Sequence, residues 1–152
     1  MSLTDFTAKW TATTRTERAA SQEHFIDLCR LLGQPTPNEA DKTGDFYAFE
    51  KGTAKTGGGE GFADVWRRGY FAWEYKGKHK NLGAAYQQLL QYREDLKNPP
   101  LLVVCDLERF EVHTNYTGTS NTTLASSRQR RMMAAADGGE RGYGQALMAM
   151  RA

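Results

Sequence analysis

Between Thr16 and Leu32 the apolar positions Phe25, Leu28, Cys29 and Leu32 recur at helical spacing, with Ala19 and Ala20 upstream. Gly33 and then Pro35 supply a stop, so the pattern predicts an amphipathic helix over residues 16–32. Gln34 to Gly44 is polar, contains Pro35 and Pro37, and reads as a loop. Phe46–Lys51 is a short strand candidate. Gly52–Gly61 holds five glycines and is expected to be a mobile loop. Phe62–Trp66 and Tyr70–Lys76 then read as two strands joined by a tight turn at Arg67-Arg68-Gly69.

Asn81 can cap a second helix running to about Lys97, with Leu82, Ala85, Tyr86, Leu89, the stem of Arg93 and Leu96 as its apolar stripe. Pro99 and Pro100 end it. Leu101–Leu107 is the nearly continuous apolar run of a strand covered on both faces, and Arg109–Tyr116 alternates as a half-buried strand does. Helix, three strands, helix and two strands predict an α/β fold, an α+β mixed sheet with helices packed against it. After about Gly118 the character changes. Residues 120–152 are rich in Ser, Arg, Ala, Gly and Met, offer no convincing strand, and allow short helices at Arg128–Ala136 and Tyr143–Met150. The expected division is therefore a domain over 1–119 and a weakly ordered tail over 120–152.

The strand period of two singles out one segment. Glu74 and Lys76 fall on one face of their strand, while Phe71, Trp73 and Tyr75 take the other. The turn before this strand brings Asp64 back beside Glu74. Two carboxylates and an ammonium converging in this way suit phosphodiester hydrolysis. Asp64 and Glu74 offer hard oxygen ligands to Mg²⁺, with Mn²⁺ as a substitute and the Tyr75 carbonyl as a further ligand. Lys76 can orient water or stabilise developing charge. A surface Glu–Lys pair on a half-exposed strand is the plainer alternative.

Composition narrows the setting. The chain has 152 residues, 39% hydrophobic and 25% charged, a globular balance large enough for one core. No apolar run is long enough to cross a bilayer and Met1–Trp10 does not have the pattern of a signal peptide, so a cytoplasmic protein with no membrane partner is expected. Cys29 and Cys105 sit in helical and strand patterns and read as buried thiols, neither a disulfide framework nor a zinc site. The glycosylation sequons at Asn115 and Asn121 carry no meaning in such a compartment. Net charge is +2, but residues 120–152 carry five arginines against Asp137 and Glu140, which leaves the rest near neutral. Attraction to phosphate in the main domain must then come from local patches or from metal held by carboxylates.

Gly61-Phe62-Ala63-Asp64-Val65-Trp66, followed by Phe71-Ala72-Trp73-Glu74-Tyr75-Lys76-Gly77-Lys78-His79-Lys80, resembles the N-terminal nuclease domain of MmeI-like type II restriction–modification enzymes. These are single chains that join an endonuclease to an adenine methyltransferase. The resemblance runs from about Leu3 to Gly118. It implies a PD-(D/E)xK nuclease written here as D-x9-E-x-K, with a restriction-endonuclease-like αβββαβ core and flanking helices. By that resemblance Asp64, Glu74 and Lys76 are the metal-binding and catalytic residues of a Mg²⁺-dependent DNA endonuclease. The superfamily often adds a carboxylate or amide from the first helix. At about 100° per residue, Glu17 and then Gln22 flank the apolar stripe, whereas Glu23 points away and reads as a solvated charge.

Gln88-Leu89-Leu90-Gln91-Tyr92 resembles the Q-x-x-x-Y element of one branch of the superfamily. Gln88 would support Lys76, and Tyr92 would touch the DNA backbone or else pack between helix and sheet. Lys78, His79 and Lys80 are expected to bind phosphates near the cut, with a solvated basic loop as the alternative. The glycine-rich segment lacks the Lys-Ser/Thr of a phosphate-binding loop and the dinucleotide fingerprint, so no nucleotide site is expected.

Family members are several times longer and carry a methyltransferase that binds S-adenosylmethionine and a target-recognition domain. No such site is expected in this chain, and Asn98-Pro99-Pro100-Leu101 is a helix-to-strand link, not a methyltransferase motif. Expected partners are double-stranded DNA, a methyltransferase or specificity polypeptide, and a second copy for double-strand cleavage. A repair-type nuclease of the same superfamily, or an inactive relic that binds DNA or an assembly, are the competing readings.

Overall fold

The computed structural model describes residues 1–78 and 80–115, together with the backbone of 123–126. Three helices precede the sheet: α1 (Leu3–Ala12), α2 (Glu17–Leu31) and the single turn α3 (Pro37–Ala40). The strands are β1 (Tyr47–Ala54), β2 (Glu60–Arg67), β3 (Phe71–Tyr75), β4 (Leu101–Cys105), β5 (Phe110–Thr114) and β6 (Thr123–Ser126), with α4 (Leu82–Tyr92) between β3 and β4. They form one six-stranded sheet in sequence order. β3 and β4 are parallel and every other neighbouring pair is antiparallel. A parallel pair cannot be closed by a hairpin, and α4 provides the crossover. The expected mixed α/β architecture is present, with helix, three strands, helix and strand in that order.

Alternation in β3 divides two cores. Phe71, Trp73 and Tyr75 face α1 and α2, in a cluster with Phe6, Trp10, Phe25 and Leu28. Ala72 faces the other way, in a cluster with Leu82, Ala85, Leu89, Tyr92 and Leu96 from α4 and its exit. With helices on both faces, all five residues of β3 and all five of β4 are buried. Glu74 is thereby carried into the interior with its strand. α2 stops where the pattern predicts: Gly33 takes φ +65°, and the Gln34 amide donates to the Cys29 carbonyl.

Several elements depart from the sequence reading. α1 was not anticipated, although Ser2 and Asp5 form a complete capping box and Phe6 and Trp10, four apart, are both buried. α3 lies inside the expected loop, started by a second capping box at Thr36 and Glu39. The expected mobile loop over Gly52–Gly61 is instead the end of the β1–β2 hairpin. The Ala54 amide donates to Asp95 Oδ2, and the Thr56 amide and hydroxyl both donate to the Gln91 carbonyl. Those bonds satisfy groups at the α4 C-terminus and fix the turn. α4 ends at Tyr92, not near Lys97, and Tyr92 takes the buried place assigned to Arg93.

Thr123–Ser126 pairs with β5, although no strand was expected beyond residue 120. The expected boundary at 119 thus falls within the β5–β6 connection. Four residues with only Leu124 strongly apolar carry almost no periodic signal, and pairing to an existing edge supplies what the sequence does not. The helices expected at 128–136 and 143–150 lie outside the described residues. Both cysteines are free and buried. Among the described residues no helix is long and apolar enough to cross a membrane.

Candidate active site

The β2–β3 register pairs Val65 with Trp73, which sets Asp64 opposite Glu74 at the next position. There the ladder opens. The Tyr75 amide donates to Asp64 Oδ2 at 2.6 Å, a side-chain acceptor in place of a backbone carbonyl. Lys76 follows on the Glu74 face, its Nζ 3.8 Å from Glu74 Oε1. The same Nζ donates to Gln88 Oε1 on α4 at 3.2 Å. Glu17, the first residue of α2, stands close enough for its charge to act on both Asp64 and Glu74. The four groups singled out for chemistry from the sequence, together with Gln88, therefore meet in one place.

Burial governs the electrostatics. Desolvation raises the Asp64 carboxyl to about 6, against the lowering effect of the Tyr75 amide and with a further push from Glu17. Glu74 is 5% exposed and is raised to about 9 by desolvation first and then by Asp64, against the attraction of Lys76. Glu17 is also raised, by desolvation, with Lys76 opposing. At neutral pH the metal-free site thus holds Glu74 protonated beside an Asp64 that is largely ionised. Glu74 Oε2 is buried with no hydrogen-bond partner.

Among the described residues no group of three or more His, Cys, Asp or Glu side chains converges closely enough to hold a metal ion by itself. The donor set is nonetheless of the right chemistry. Mg²⁺ keeps several waters and is commonly bound through one or two carboxylates, and Asp64 and the unpartnered oxygen of Glu74 supply two hard donors across one strand pair. A cleft of about 550 Å³ opens between the starts of α2 and α4, reached from the site by Glu17 and Lys76. Thr16, Glu17, Arg18, Lys76, Lys80 and Asn81 line it.

The remaining expected residues divide. Lys80 is exposed and lines the cleft. Lys78 is corrected: its ammonium donates to the Thr11 carbonyl at 2.9 Å and pairs with Glu108 at 3.1 Å, so its charge ties α1 to the β4–β5 turn. Tyr92 is corrected too. It is 2% exposed, its hydroxyl accepts from Gln88 Nε2 at 3.0 Å, and it has no surface left for DNA. His79 lies outside the described residues. Gln22 is exposed, and Glu23, expected to be a solvated charge, pairs with Lys9 at 2.7 Å.

Two neighbours were missed. Glu50, by the register of β1 on β2, lies opposite Asp64, and its charge contributes to raising Asp64. It has φ +49°, a left-handed conformation that no spacing rule announces. His24 is fully buried with Nδ1 2.8 Å from the Tyr75 hydroxyl, and burial lowers it to about 3, so it is a neutral packing and hydrogen-bonding group behind the site strand.

A family model described as MmeI, N-terminal domain, matches residues 1–137, and the chain belongs to that family. No curated protein and no solved structure matches the chain.

Proposed function

We propose that this member of the MmeI N-terminal domain family is a Mg²⁺-dependent DNA endonuclease domain of a restriction–modification system, built on the PD-(D/E)xK plan. The observation that carries the reading is the meeting of Asp64 and Glu74 across β2 and β3, with Lys76 two residues on along the same strand face. The element order before and through the α4 crossover supports it, being the order that the superfamily implies.

Each residue then has a task. Asp64 and Glu74 would hold the cation, and Glu74, whose carboxyl burial and Asp64 raise to about 9, would give up a proton to do so. Bound Mg²⁺ would supply charge stabilisation at the scissile phosphate and a more acidic water. Lys76 keeps one donor on Gln88, which aims the others toward the attacking water and the phosphate oxygens. Glu17, which lines the cleft, would accept a hydrogen bond from water there. Hydrolysis adds water across one P–O bond of the backbone, leaving a phosphate monoester and a hydroxyl. One site cuts one strand, so a double-strand break needs two copies.

Lys80 is an exposed cation of the cleft, as is Arg18, and it binds a DNA phosphate in this reading. Lys80→Ala is expected to lower the slope of log binding constant against log salt by about 0.9, the share of one phosphate contact. Lys78→Ala is expected to leave that slope unchanged, because its ammonium is already committed to Thr11 and Glu108. DNA-binding isotherms over a salt series read both. The reading as a whole is tested by titrating Mg²⁺ into the protein with supercoiled plasmid. Nicking that rises with Mg²⁺ and vanishes with chelator is the expected result. Binding without cutting at any divalent-ion concentration would overturn it.

A further inference from the structure

We propose that Gly61 and Tyr92 are positioning residues for the Lys76 ammonium, acting on it through Gln88. The geometry is a series of direct contacts. A Cβ on Gly61 would overlap the Tyr92 ring and hydroxyl, so the β2 backbone lies flat against that side chain. The Tyr92 hydroxyl accepts from Gln88 Nε2 at 3.0 Å, and Gln88 Oε1 accepts from Lys76 Nζ at 3.2 Å. Gln88 and Tyr92 are one helical turn apart on α4, which places both on the face turned to the sheet.

The order of these groups is chemically constrained. Lys76 has only donors to offer, so it must meet the carbonyl end of the Gln88 amide. The amide then turns its NH₂ toward Tyr92, and an acceptor there strengthens the carbonyl as a partner for the ammonium. A glutamine on a half-exposed helix face would otherwise sample several rotamers. The Tyr92 hydroxyl removes that freedom only because the ring is pinned, and it is pinned by a backbone with no side chain at residue 61. Gly61 lies three residues before Asp64 on β2, so the strand that carries the metal ligand also sets the reach of the lysine. The hairpin end reinforces this by bonding to Gln91 and Asp95 on either side of Tyr92.

The catalytic consequence rests on the nuclease reading, and the test separates the two. Mg²⁺-dependent plasmid nicking is measured for the full chain as wild type, Tyr92→Phe, Gln88→Ala and the double variant. Each single change is expected to lower kcat about ten-fold, the scale of one charge-linked hydrogen bond, with KM for DNA unchanged. The double variant is expected to be no slower than Gln88→Ala alone, because Tyr92 acts through Gln88. Tyr92→Phe removes one oxygen and keeps the ring, so it decides the matter even if Gly61→Ala, expected to behave alike, does not fold. Losses that add, or a Tyr92→Phe rate equal to wild type, would overturn the proposal. If wild type does not nick, the nuclease reading fails, and the ¹⁵Nζ resonance of Lys76, measured without DNA or metal and assigned with Lys76→Ala, still decides. A hydrogen-bonded signal that collapses toward the free-lysine position in Tyr92→Phe supports the relay, and one that stays in place overturns it.

Discussion

Lys76→Ala is expected to lower Mg²⁺-dependent nicking by about a hundred- to a thousand-fold, the usual cost of removing one preorganised donor from a developing charge. The fold should survive, because the lysine is partly exposed and, among the described residues, its ammonium meets Gln88 and Glu74. Cation binding should survive as well, since the carboxylates remain. The loss should therefore appear in kcat with little change in the Mg²⁺ concentration for half-maximal rate. Thermal melts and calorimetric titration with divalent ion serve as the controls. A variant that nicks as fast as wild type would show that the activity belongs to another protein.

The second large effect has opposite signs for stability and activity. Glu74 is raised to about 9 by burial and by Asp64. A carboxyl whose folded value lies above its unfolded one contributes stability in full below the unfolded value, and that contribution is lost as pH rises toward the folded value. The metal-free protein should thus lose stability between about pH 5 and pH 9 on account of this group. Glu74→Gln keeps the shape without the ionisation. In chelator it should match wild type near pH 5 and exceed it by several kcal/mol at pH 8. Added Mg²⁺ should reverse the ranking, because only wild type gains from binding. Nicking by Glu74→Gln should fall by at least about a hundred-fold. Melting temperatures in chelator and in Mg²⁺ across this pH range test the whole pattern. A variant less stable than wild type at pH 8 in chelator would contradict it.

What could be read from the sequence was whatever depends on period and count. Period two put Glu74 and Lys76 on one face, a short turn returned Asp64 to Glu74, and the same helical rule set Gln88 one turn from Tyr92. Properties set by depth were not readable. That Tyr92 lies under Gly61, that Lys78 is tied to Thr11 and Glu108, and that the glycine-rich segment is bonded to α4 all depend on which surfaces meet after the chain is folded. Glycines signalled mobility by composition, yet their actual use at residue 61 is close approach. Glu50 shows a third case. Its place opposite Asp64 follows from strand pairing, but its left-handed backbone has no residue-type signal. α1 is legible in its capping box and in the spacing of Phe6 and Trp10, signals that the mixed polarity of Met1–Trp10 masks.

The family match extends to residue 137, past the point where the sequence changes character, and β6 continues the sheet to Ser126. Among the described residues, the contacts that build the site of Asp64, Glu74 and Lys76 lie between Glu17 and Cys105.

A crystal soaked in Mn²⁺ and measured at the manganese absorption edge addresses the proposal at its root. The account predicts one anomalous peak at the Asp64 and Glu74 carboxylates, and its loss in Glu74→Gln. No peak there at saturating Mn²⁺, or a peak that ignores the substitution, would contradict it.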